Sequence, residues 1–176
     1  MASSEPAAAL SALTSEALDQ LVAVARARRP LGVGEAGPWT RNALAPGHAL
    51  YANRNPRLNI DFRVERLAFP HAQTMDPRIV RIAPGANNEL HLHAHESLFV
   101  VLEGRGEVFI GERWNPLSRG DVAFVPRWIF HQTRNTSVKE DLVILAITDF
   151  GFTSAVLGDY DRRTRLARGE REPERP

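Results

Sequence analysis

The chain has 176 residues, enough for one domain with a sizeable core and modest extensions but too few for a second large domain. Its 22 Lys and Arg against 21 Asp and Glu leave a formal charge of +1, which creates no field to draw in nucleic acid or an anionic membrane. There is no cysteine, so disulfides, thiolate nucleophiles and thiolate metal sites are excluded, and any metal must be held by His, Asp, Glu and water. The N-terminus Met1-Ala2-Ser3-Ser4-Glu5 lacks a basic region, and no apolar run of signal-peptide or membrane-spanning length follows. A soluble, cytoplasmic protein is expected, in which the sequon Asn135-Thr136-Ser137 is a chance match.

In chain order, Leu18, Leu21, Val22 and Ala25 recur at helical spacing after the capping pair Thr14-Ser15, predicting an amphipathic helix from Thr14 to Arg28 that ends before Pro30. Leu31 to Pro56 is rich in Gly, Pro and Asn and reads as an irregular connection wrapping over the domain. Its Gly32-Val33-Gly34-Glu35-Ala36-Gly37 matches the dinucleotide fingerprint only in form, because a helix precedes it and Pro38 follows. From Leu58 the period becomes two: Leu58, Ile60, Phe62 and Val64 alternate with Asn59, Asp61, Arg63 and Glu65. Further strands are expected at Arg78 to Ala83, Leu90 to His93, Leu98 to Leu102, Glu107 to Ile110, Val122 to Val125, Ile129 to Thr133 and Leu142 to Thr148. Turn signals at Pro84-Gly85, Gly104-Arg105-Gly106, Gly111, Gly120-Asp121 and Asn135 separate them. Many short strands joined by turns give an all-β antiparallel sandwich or barrel. The organisation predicted is an N-terminal helix and wrapping loop over 1–57, a barrel over 58–150 and a charged C-terminal tail over 151–176, nearly free of apolar residues from Asp159.

The residues that point to chemistry are histidines. Side chains at i and i+2 of a strand share a face, so His91 and His93 point the same way, and His131 from a neighbouring strand completes a facial set. Imidazole nitrogens suit iron, copper, nickel or zinc, and three of them leave positions open for water, oxygen or substrate. The plain alternative is three polar residues at a barrel mouth.

The same residues carry a family likeness. Gly85, five residues, His91-Leu92-His93 and then Gly104 resemble the first cupin motif; Gly120, five residues, Pro126, then His131 and Asn135 resemble the second. The resemblance covers Gly85 to Asn135 and, with the flanking strands, most of Leu58 to Phe150. It implies a cupin jelly-roll barrel with His91, His93 and His131 as metal ligands near one mouth. Two positions depart from the usual pattern. Ser97 stands where most metal-binding cupins have a glutamate, and Trp128 where the second motif usually has a glycine. Both departures are similar to those of the gentisate dioxygenase group, which uses a three-histidine iron(II) centre and carries a Pro-x-Trp-x-x-His stretch like Pro126 to His131. That group has two cupin domains in a chain about twice as long, so the likeness is to the site.

Without a carboxylate ligand, a bound dication keeps a net charge near +2 and favours an anionic, bidentate substrate such as a hydroxy acid, a catechol-like phenolate or a thiolate. Glu89, which shares the face of His91, or Glu96, swinging in at a bulge, would restore the carboxylate. Ser97 either hydrogen-bonds a metal-bound water or the substrate, or only leaves space. Phe99 and Val101 share its face, Ile129 and Thr133 share that of His131, and all four are expected to line a mostly apolar pocket. His95 continues the period of two, as an extra ligand or proton relay or, more plainly, in a supporting or exposed position. Arg81 is a candidate clamp for a substrate carboxylate, with an outer-face ion pair as the plainer reading. His48 and His71 read as surface residues, His71 being a weak lid candidate. The function expected is a mononuclear non-haem iron(II) oxygenase or dioxygenase, with Mn, Ni or Zn as other metals. The alternatives are a sensing cupin without turnover and a metal-dependent isomerase or lyase. A small-molecule substrate and a homodimer are the expected partners, the N-terminal helix packing on its own barrel or on the second subunit.

Overall fold

The computed structural model describes residues 39–157 apart from 70, 71 and 73, together with residues 16, 19, 22 and 23, which are helical and exposed. The rest of the helix expected over 14–28, the Gly32 to Gly37 stretch, His71 and the tail from Asp159 lie outside the described residues. Nine strands follow: β1 (Ala49–Asn55), β2 (Ile60–Arg66), β3 (Asp76–Ile82), β4 (Ser97–Glu103), β5 (Arg105–Ile110), β6 (Arg113–Ser118), β7 (Val122–Val125), β8 (His131–Asn135) and β9 (Leu142–Thr148), then helix α1 (Phe150–Leu157). They form a six-stranded sheet in the order β1-β2-β3-β9-β4-β7 and a three-stranded sheet in the order β6-β5-β8. All ladders are antiparallel, and several neighbours are distant in sequence, as in a jelly roll.

The period of two decides what the larger sheet buries. Across it, inward side chains fall into four rows: Phe62, Ile82 and Leu142; Val64, Val80, Ile144 and Val101; Arg66, Arg78, Ala146 and Phe99; Asp76, Thr148, Ser97 and Val125. The first two rows are wholly apolar and meet Val108 and Leu117 of the smaller sheet in one core. The last two bring polar groups to one end of the barrel, and that end carries the site.

The outward face is not simply wet. Segment 44–47 crosses it, with the Gly47 amide donating to Glu65 Oε2 at 2.9 Å and Arg81 Nη2 donating to the Leu44 carbonyl at 3.1 Å. These contacts bury Glu65 and Arg81 as a pair.

Several elements differ from the sequence-based expectation. β1 lies in the stretch read as irregular, so the sheet begins at Ala49. It is an edge strand paired only with β2, and no residue of it is fully buried, so it lacks a clear apolar alternation. β6 escaped prediction for the same reason: five of its six residues are exposed, and it tolerates Pro116 because it too is an edge. The strand expected from Leu58 starts at Ile60, after a 3₁₀ turn over Pro56–Leu58. The strand expected at Ile129 begins at His131, because Trp128 adopts a left-handed backbone with φ of 58°. α1 occupies the start of the region expected as a charged tail. Leu90 to His93 forms no continuous strand. Single bridges pair Asn87 with Arg134 and His91 with His131, so three residues on one side oppose two on the other and the ladder is interrupted. Among the described residues, no helix is long and apolar enough to cross a membrane.

The β4–β5 turn depends on Gly104, whose φ is +78° and whose missing Cβ would lie 2.4 Å from the Asp141 carbonyl oxygen. Gly104→Ala is expected to lower unfolding free energy by about 2–3 kcal/mol in urea denaturation. Unchanged stability would mean that the β4–β5 turn and Asp141 can move apart freely.

Candidate metal centre

The interrupted ladder still brings the histidines together. His91 and His131 exchange both main-chain hydrogen bonds, at 3.1 and 2.9 Å, which places their side chains as close neighbours. Asn88 holds this register from below: its side-chain oxygen accepts from the Thr133 amide at 2.7 Å, and its carbonyl accepts from Gln132 Nε2 at 3.0 Å. His93 is fixed from the other side, where the Trp128 amide donates to its carbonyl at 2.8 Å. Ring centroids are then 4.2 Å apart for His91 and His131, 4.5 Å for His93 and His131, and 5.5 Å for His91 and His93. All three residues are buried, and one nitrogen from each lies within 4.8 Å of the others.

Hydrogen bonding selects which nitrogen that is. Nδ1 of His91 lies 2.8 Å from the Glu89 carbonyl, Nδ1 of His93 2.8 Å from the His95 carbonyl, and Nδ1 of His131 3.0 Å from the Ile129 carbonyl. A carbonyl only accepts, so each Nδ1 carries the proton and each neutral ring keeps its lone pair on Nε2. Three Nε2 lone pairs converging in a buried pocket are a donor set for a divalent ion, and the residues present fit one.

The pocket has a volume of about 50 Å³. A water needs roughly 10–15 Å³ of such space, so the pocket accommodates an ion with a few small ligands. Its wall includes the three histidines, His95, Ser97, Phe99, Asn88, Tyr51, Arg78 and Thr148, and no lining residue is acidic. Ser97 is 2% exposed, and its hydroxyl has no hydrogen-bond partner among the described residues. Such a buried donor is uncommon among native side chains.

The other expected site residues divide. Phe99 lines the pocket, its ring centroid 6.3 Å from that of His131. His95 is buried in the wall but outside the three-histidine group: it stacks on His93 at 3.5 Å between centroids and meets the edge of Phe150. It supports a ligand from behind and is not a fourth one. Glu96 is a correction. Its side chain is exposed and pairs with Arg127, while its amide donates to Asp149 Oδ1, because it points away on alternation from Ser97. Glu89 is likewise outside the wall, its carboxylate accepting from the Asn53 amide. Val101 and Thr133 lie deeper, in the packed interior beneath the pocket. Ile129 precedes the start of β8, so the parity drawn from His131 does not reach it, and it is not in the wall. Arg81 is on the outward face of β3, in an ion pair with Glu65 at 3.4 Å, and does not face the pocket. The arginine of the wall is Arg78. His48 is exposed, as expected.

Known proteins share the fold. Residues 78–148 match the family model described as the cupin domain. An uncharacterised protein of Aquifex aeolicus is 45% identical over 58 residues, 32% of this chain and 46% of that one. A 1-hydroxy-2-naphthoate 1,2-dioxygenase of Nocardioides sp. is 28% identical over 80 residues, 46% of this chain and 21% of that one. The chain thus spans less than half the length of either relative. Among solved structures, a cupin-2 domain protein of Rhodospirillum rubrum superposes with a TM-score of 0.54 at 21% identity, covering 62% of this chain and 74% of that one.

Elemental analysis after loading with a divalent metal is expected to give one ion per chain. His91→Ala, His93→Ala and His131→Ala should each weaken zinc binding by at least about a hundredfold in competition with a chelator, since loss of a supporting group alone costs about 10–100-fold. His48→Ala should leave it unchanged, and equal affinity in all four variants would place the metal elsewhere.

Proposed function

We propose, from the premise that residues 78–148 are a cupin domain, that the protein is a mononuclear iron(II) oxygenase of the dioxygenase kind, acting on a small anionic substrate that chelates the metal. The observation that carries this reading is the donor set: three neutral imidazoles in a buried pocket whose wall contains no carboxylate. Neutral ligands leave the charge of a bound dication undiminished, near +2, and so favour a chelating anion over a neutral one. When bound there, iron(II) supplies the electrons for oxygen chemistry, which no side chain of the pocket provides.

The chain supplies the rest. His91, His93 and His131 are the residues that would hold the ion. His95, stacked behind His93, and Phe150 keep that side of the pocket dry. Ser97, at the glutamate position of other cupins, leaves room and offers a hydroxyl to the ligand. The 28% identity over 80 residues to a 1-hydroxy-2-naphthoate 1,2-dioxygenase supports oxygen chemistry over a Lewis-acid role for the same centre.

The test is oxygen uptake by the iron(II)-loaded protein with catechols, gentisate-like acids and thiols. Uptake with at least one of these, reduced at least about a hundredfold in His131→Ala, is expected. Stoichiometric zinc in the purified protein, with no uptake for any substrate after iron loading, would contradict the proposal. Ser97→Glu is expected to retain metal more tightly and to lose at least about tenfold in uptake, because the added carboxylate both neutralises charge and fills a coordination position. Undiminished uptake in Ser97→Glu would show that this position does not govern the chemistry.

A further inference from the structure

The wall of the pocket holds one cation that the metal centre does not use. Arg78 is 11% exposed in its side chain and lies on the inward face of β3, directly opposite Arg66 on β2. Like charges facing each other across a ladder repel, and Asp76 offsets this by lying between them. Its carboxylate accepts from Arg66 Nε at 3.0 Å and Nη2 at 3.3 Å, and from Arg78 Nε at 2.8 Å. Two guanidinium groups share one carboxylate, so the triad keeps one positive charge. Arg66 is 46% exposed and keeps its share of water; Arg78 faces a pocket without acidic residues.

Arg78 is also held still. Its guanidinium carbon lies 4.7 Å over the Phe150 ring, and Phe150 in turn meets His95 edge-on. With Asp76 on one edge and the ring against one face, the guanidinium is oriented before any ligand arrives. Beside it on β9 is Ala146, with Phe99 beyond on β4. Ala146 is the smallest side chain of that row, so a gap is left over the sheet between the Phe99 ring and Arg78. In the next row towards the mouth come Thr148 and Ser97. Paired residues on adjacent strands are about 4.5–5.5 Å apart, so one small molecule lying over Ala146 and Thr148 spans from Arg78 to the hydroxyl of Ser97.

Resting on the metal-centre reading above, we infer that the substrate is a monocarboxylate whose carboxylate is anchored by Arg78 over Ala146, leaving its other donor groups for the metal. One negative charge matches the single uncompensated positive charge of the triad, and the planar carboxylate matches the guanidinium fork. The Ser97 hydroxyl, buried and without a hydrogen-bond partner among the described residues, is the second donor aimed into the same space. Carboxylate recognition therefore belongs to the chain and does not require the metal.

That independence sets the test. Metal-free, isotope-labelled protein is titrated with propionate and with propionamide, following the Arg78 Nε–Hε signal by NMR. A saturable shift with propionate and none with propionamide is expected. Followed by the backbone amides of Ala146 and Thr148, propionate binding should weaken at least tenfold in Arg78→Gln while zinc stoichiometry stays at one per chain. Should Arg78→Gln fail to fold, Ala146→Val, which fills the gap and keeps Arg78, should also abolish the shift. Equal binding of propionamide, or undiminished binding in Ala146→Val, would overturn the anchor. Loss of the zinc site with intact propionate binding would instead overturn the metal centre and leave the anchor standing.

Discussion

Three hydrogen bonds from imidazole to main chain hold the rest of the site in place. His91, His93 and His131 each give the Nδ1 proton to a carbonyl two residues away, of Glu89, His95 and Ile129. Each bond settles tautomer and ring orientation together, and because the partner is so close in sequence the setting is local. Long-range pairing then needs only to bring three preset rings together. The reciprocal bonds of His91 and His131, and the bond from Trp128 to His93, accomplish that. Trp128 adopts a left-handed backbone that a glycine would take without strain, at the position where glycine is usual in the family it resembles. A buried imidazole whose Nδ1 proton found no acceptor would cost roughly 1–3 kcal/mol, so the same bonds that prepare the ligands make their burial tolerable.

The barrel separates stability from chemistry by rows. The Phe62 and Val64 rows are apolar and densely packed, and they carry the core. One row nearer the mouth, Arg66, Arg78, Ala146 and Phe99 mix charge, space and an aromatic ring; at the mouth stand Asp76, Thr148, Ser97 and Val125. Polar groups near the mouth are mutually satisfied except where they meet the pocket. Thr148 donates to the Asp76 carbonyl and Asp76 binds two arginines, but Ser97 has no hydrogen-bond partner among the described residues.

How far the sequence could be read depended on parity. Alternation through Leu58 to Glu65 gave the buried face of β2 because polar and apolar residues strictly exchange there. In Arg78-Ile79-Val80-Arg81-Ile82 both faces carry an apolar residue, since segment 44–47 covers the outer one, and parity could not tell Arg78 from Arg81. The arginine named as a candidate clamp, Arg81, takes the plainer role of an outward ion pair, and the arginine of the pocket wall lies three residues earlier. Ser97 and Phe99 were placed on the pocket face from their spacing. Ile129 was expected there as well, but the Trp128 backbone breaks the count before β8 and leaves it outside the wall. His91 and His93 do converge, as their spacing suggested, though from an extended segment with one bridge and not from a strand. Edge strands β1 and β6 left no signal because half-exposed residues need not alternate. Alternation from Ser97 already turns Glu96 outward, and only its partner there, Arg127, depends on contacts distant in sequence.

The most direct test of the three-imidazole centre is long-range nitrogen–proton NMR of the histidine side chains before and after one equivalent of zinc. Before zinc, His91, His93 and His131 should all show the proton on Nδ1. With zinc their three Nε2 signals should shift together and stop changing at one ion per chain. A proton on Nε2 in any of the three, or Nε2 signals that ignore zinc, would contradict the centre described.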